Sequence, residues 1–179
     1  MEISRTAIGR TPGRDMRYVM KQKLFSWGGD FYIRDEQERD IYFVDGKAFT
    51  LGRQLSFQDL SGNELAYIKQ QFIALAATYD ISRNGVIVAH VKEQLFSLLH
   101  HRFNVDVPGP DDLEIEGDFL DHEYVFRRGD RVVATISKKW FSFPETFGIE
   151  VYDGEDDILI LACAVVVDEA SERRHRHNH

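Results

Sequence analysis

The sequence predicts a mainly β protein, a closed antiparallel barrel of about twelve strands enclosing one hydrophobic C-terminal α-helix. Three observations lead to this expectation. Short alternating segments follow one another along the chain, separated by turn signals. One hairpin recurs internally. Finally, residues 158–167 are ten consecutive apolar residues, and a helix that is apolar all round has to be enclosed on every side.

The apolar run comes first because the rest depends on it. Its β-branched content would also suit a buried strand, and periodicity alone does not separate the two. Ten residues exceed the usual strand, however, and Glu155, Asp156 and Asp157 precede the run. A helix N-terminus favours carboxylates at that place because its N–H groups are unpaired and partially positive. The helix is therefore placed at about residues 155–169. A membrane span needs about 20 apolar residues, twice this run.

The strands are expected at residues 17–25, 31–35, 41–44, 54–60, 64–72, 78–83, 86–96, 102–107, 113–117, 123–128, 131–140 and 147–152. Turn residues divide them at 27–30, 45–46, 61–63, 84–85 and 128–130, of which Asn84-Gly85 is the strongest hairpin signal. Residues 79–97 overlie 124–142 without a gap at an offset of 45, pairing Tyr79 with Tyr124, Arg83 with Arg128, and Ala89 with Ala134. A weaker copy matches residues 65–69 to 88–92 at an offset of 23. The repeated unit is one hairpin rather than a solenoid repeat. Alternation puts Ile87, Ala89, Val91 and Leu95 on one face, and Val132, Ala134, Ile136 and Trp140 on its counterpart; both are expected to point inward. A closed sheet of this many strands encloses more space than its own side chains fill. The apolar helix would occupy it.

Length sets one domain, with 1–15 a disordered basic arm, 16–170 the barrel and 171–179 a disordered His/Arg-rich tail that resembles a metal-affinity handle. The single cysteine, Cys163, lies inside the apolar run, which excludes an internal disulfide and a cysteine metal site. That fits a reducing, cytoplasmic setting, and no secretory h-region opens the chain. Net charge is −8 although both tails are basic, so the body between them is more acidic still. Generic nucleic-acid or anionic-membrane binding is disfavoured, because affinity for polyanions comes chiefly from lysines and arginines neutralising phosphates, so any anion site is expected to be local.

The hairpin at 79–92, the segment 136–142 and the stretch 147–162 together resemble the LURP-one-related (LOR) family, of the Tubby C-terminal-like group that includes the phospholipid scramblases. The resemblance covers about 16–170. It implies a twelve-stranded barrel around a central C-terminal helix. Tubby proteins hold phosphoinositide headgroups in a basic groove on the barrel, which nominates Lys69, Lys92, Lys138 and Lys139 here. Scramblases carry an acidic segment near the helix start, which makes Asp153, Glu155 and Asp156 weak Ca²⁺ candidates; the spacing does not match an EF-hand loop. Otherwise no metal and no cofactor is expected.

Catalytic residues are hard to assemble. Cys163 reads as a small buried hydrophobe, and His100, His101 and His122 read as surface residues near loops. The acidic run from Asp111 to Glu123 reads as a solvated face. The leading expectation is a monomeric, non-enzymatic binding or tethering module, recognising a phosphoinositide or other anionic headgroup at a membrane surface. One alternative is Ca²⁺-linked, scramblase-like lipid transfer. Another is a protein-interaction module in a stress or defence response.

Overall fold

The computed structural model describes residues 13–21, 30–47, 54–71, 78–95, 101–140 and 146–177. Its strands are β1 (Met16–Lys21), β2 (Phe31–Asp35), β3 (Asp40–Lys47), β4 (Gln54–Asp59), β5 (Glu64–Gln71) and β6 (Thr78–Arg83). They continue as β7 (Val86–Leu95), β8 (His101–Asp106), β9 (Leu113–Asp118), β10 (Glu123–Arg128), β11 (Arg131–Ser137) and β12 (Thr146–Val151). A short 3-10 helix, Lys138–Trp140, follows β11, and α1 (Asp157–His177) ends the described chain. Each expected strand has its counterpart. The expected strand ends at 22–25, 72 and 96, the turn residues 27–29 and the arm at 1–12 lie outside the described residues.

Every strand pairs antiparallel with its sequence neighbours, and β1 pairs with both β2 and β12, so the sheet closes on itself. Closure matters because an open edge would present unpaired N–H and C=O groups to any other chain. Inside, each strand contributes at least one side chain exposed by 1 % or less, from Met20 of β1 to Ile149 of β12. Around α1 the ten apolar residues 158–167 are buried on all sides, which is why this helix needs no polar face. The helix continues to His177, beyond the expected end near 169, so residues 171–177 extend it rather than forming a separate tail.

The hairpin repeat has a physical cause. In β2–β3, β4–β5, β6–β7 and β10–β11 the register slips by one residue just after the turn, leaving Ile41, Leu65, Val88 and Val133 as the extra residue. Such a bulge lets two neighbouring residues of one strand turn towards the same side. Ile41, Leu65 and Val88 pack against the core, and Val133 is buried beside the buried Ala134. Strict alternation therefore fails here. Ile87, expected inside, is 44 % exposed, Val132 is only half-buried, and Trp140 lies at the surface in the 3-10 helix. Between β9 and β10 the backbones approach so closely that a Cβ on Gly117 would lie 2.5 Å from the Glu123 carbonyl oxygen.

Candidate functional site

The start of α1 is built by side chains from three directions. Asp156 caps the helix, its Oδ1 accepting the Leu159 N–H at 3.0 Å. The same carboxylate takes both terminal nitrogens of Arg83, from the end of β6, at 2.7 Å each. Beside it Glu155, with its side chain 2 % exposed, accepts from Arg128 and from Arg131, each at 2.6 Å. Bidentate and paired guanidinium contacts of this kind are the strong class of charge-assisted hydrogen bond. Two of the nominated Ca²⁺ carboxylates are thus engaged by arginines. Asp153 is exposed in the turn before the helix, where its backbone N–H donates to Asp15 Oδ1 at 2.9 Å. Among the described residues no group of three or more His, Cys, Asp or Glu is arranged to hold a metal ion.

At the opposite end of the barrel, His122 departs from the expected surface role. It is buried at the mouth of β10, where its Nε2 meets Asp168 Oδ1 of α1 at 2.8 Å and its ring packs on Phe147 at 4.4 Å between centroids. Asp118 organises this turn by accepting the Leu120 and Asp121 N–H groups. The side chains of His100 and His101 lie outside the described residues.

The four nominated lysines fall on two separate parts of the outer surface. Lys69 and Lys92 lie on β5 and β7, which flank β6, whereas Lys138 and Lys139 follow β11 on another part of the wall. Lys69 is exposed and is paired in register with Asp80 of β6, which bonds the His90 ring at 2.6 Å. Lys92 bonds Asp106 of β8. The ammonium groups of Lys138 and Lys139 lie 3.8 Å from Asp121 and Glu123, respectively. The wall at 113–123 does form a charged outer face, with Arg127 bonded to Glu116 at 2.7 Å and Arg102 between Glu114 and Glu116.

These placements limit the available chemistry. Burial pushes the Cys163 thiol far above its ordinary range, the opposite of what activates a nucleophile. The rings of His90 and His122 bond carboxylates, and neither bonds a hydroxyl or thiol among the described residues. No described helix is long and apolar enough to cross a membrane. The wall strands bury apolar side chains inward and turn Lys69, Lys92 and Arg102 outward, the reverse of the pattern in barrels that span membranes. The missed contacts at α1 had a partial sequence signal, since Arg83 and Arg128 are equivalent in the repeat and acids precede the apolar run. His122 with Asp168 had none, because nothing in either segment's pattern brings them together.

The uncharacterised Bacillus subtilis protein YxjI is 33 % identical over 149 residues, 83 % of this chain and 90 % of that protein. An Arabidopsis thaliana protein of known X-ray structure superposes with a TM-score of 0.66 over 88 % of this chain and 91 % of its own, at 18 % identity, a likeness of fold. Residues 16–168 match the LURP-one-related family, and the chain belongs to that family.

Proposed function

We propose that the chain is a non-enzymatic binding or tethering module that engages its ligand from outside the barrel. The observation that supports this reading is the filled interior: α1 occupies the space in which other barrels of many strands hold a ligand or channel. Closure also removes the sheet edge on which a peptide could be added as a further strand. Recognition then falls to the outer side chains and the connections. For an anionic lipid headgroup, Lys69 and Lys92 on the β5–β7 wall are the proposed contacts, with Lys138 and Lys139 as a separate pair. Since Lys92, Lys138 and Lys139 each have a carboxylate nearby, such binding is weak and falls with salt.

A protein partner is the second reading, favoured by exposed Leu60, Val86 and Ile87 on the adjoining β4–β5 and β6–β7 hairpins. Ca²⁺-linked lipid transfer draws less support, because Glu155 and Asp156 already serve arginines. The test is co-sedimentation of the full chain with vesicles of phosphatidylcholine alone or with added phosphoinositide, at low and physiological salt, with and without Ca²⁺. The headgroup reading expects a preference for the phosphoinositide vesicles at low salt that Lys69→Gln with Lys92→Gln reduces. Equal recovery on both vesicle types at low salt transfers the case to the protein partner.

A further inference from the structure

We infer that Asn84 is a site of spontaneous covalent modification, deamidation across its bond to Gly85, and that the product disturbs the Arg83 contact holding the start of α1. Asn84 and Gly85 form the tip of the β6–β7 hairpin, both exposed and both at positive φ, 50° and 77°. The reaction requires the backbone nitrogen of the following residue to reach the side-chain amide carbon. Glycine hinders that approach least, and at Gly85 no atom lies within 4 Å of where a Cβ would be. The Asn84 amide makes no hydrogen bond among the described residues, so rotating it breaks nothing. Neither of the other described asparagines precedes a glycine. Asn63 is followed by Glu64 and donates its amide to Asp59 at 2.8 Å, and Asn104 is followed by Val105 within β8.

The chemistry needs only water. Gly85 N loses its proton to solvent and bonds to Asn84 Cγ; the Cγ–Nδ2 bond breaks and ammonia leaves, giving a cyclic imide. Water then opens the ring at either carbonyl, leaving aspartate or isoaspartate, with no change of oxidation state. Either product carries a carboxylate adjacent to Arg83, where it competes with Asp156 for the guanidinium and repels that acid. Isoaspartate adds a methylene to the backbone of a two-residue turn whose geometry matches the strand twist only at its native length. Both changes act on the hairpin whose arginine holds the helix cap, so the tip is coupled to the start of α1 through the Arg83 side chain.

The test incubates the full chain in mildly alkaline buffer at physiological temperature and maps peptides by mass, with enzymatic methyl labelling to detect isoaspartate. The expected result is a gain of about 1 Da at residue 84 well ahead of any change at Asn63 or Asn104. Asn84→Asp, which adds the charge alone, is expected to lower the thermal midpoint, and the decrease is expected to vanish in an Arg83→Met background. Survival of Asn84 for as long as Asn63 and Asn104 overturns the site. An Asn84→Asp midpoint equal to that of the parent chain overturns its coupling to Arg83.

Discussion

Arg83 and Arg128 occupy equivalent positions in two hairpins, and each closes its guanidinium on a carboxylate at the start of α1, Asp156 for the first and Glu155 for the second. The repeat therefore does more than build wall. Two of its copies fasten the element that fills the barrel. Glu155 is the more deeply buried acid, and removing one partner of a buried pair leaves an uncompensated charge. Arg128→Met is expected to cost about 3 kcal/mol, less if Arg131 compensates. Arg83→Met, at a pair only partly buried, is expected to cost about 1 kcal/mol. Urea unfolding measures both, and the reverse order would show that Glu155 does not depend on Arg128.

The buried contact between His122 and Asp168 joins the β9–β10 turn to the far part of α1. His122→Ala leaves the Asp168 carboxylate without that donor inside the barrel, and a loss of about 2–4 kcal/mol is expected. A variant as stable as the parent would return His122 to the surface role that its sequence context suggests.

The bulges allow a sharp comparison within one repeat unit. Ile87→Lys is expected to change stability by less than about 0.5 kcal/mol, since the side chain already faces solvent. Val133→Lys forces a charge among fully buried neighbours and is expected to prevent folding. Equal tolerance of the two would mean that the register slip does not occur.

Stability should decline at both ends of the pH scale for identifiable reasons. Burial opposes ionisation of Asp35 most strongly, but bonds from Arg39 and Gln37 outweigh it and hold its carboxyl below the ordinary 3.8. For Asp59 the Asn63 side chain is the largest cause, joined by backbone N–H groups of the turn, and its carboxyl is likewise below 3.8. A depressed carboxyl contributes stability above the unfolded value, and that contribution is lost as pH falls through the folded one. The stability gap between the parent and Asp35→Asn or Asp59→Asn should thus narrow below about pH 4. At the alkaline end, burial first and then Asp157 push the Tyr42 hydroxyl from 10.0 up to about 12. Its contribution is complete below pH 10 and lost towards 12, so Tyr42→Phe should flatten the alkaline decline measured by pH-jump unfolding.

Much of the architecture was legible because turns and alternation are local. Asn84-Gly85 marks a hairpin from two residues, and the run 158–167 announces a buried helix by having no polar face. What the pattern could not show was register. Alternation assigns Ile87 inward and leaves Val133 outward, and only pairing across β6–β7 and β10–β11 reveals the extra residue that reverses both. The site was less legible for the same reason. Lys69 and Lys92 look equivalent in sequence, yet their carboxylate neighbours, Asp80 and Asp106, come from other strands. The separation of Lys138 and Lys139 from them follows from strand order around the barrel.

The sheet closes because α1 fills it. Burying the ten apolar side chains of 158–167 is worth on the order of 15 to 25 kcal/mol as an upper estimate, more than the net stability of an ordinary domain. The most direct measurement is urea unfolding, followed by circular dichroism, of a chain ending at Gly154. No cooperative transition is expected, because without α1 the inward side chains of the wall have nothing to pack against. A cooperative transition in that truncated chain would contradict it.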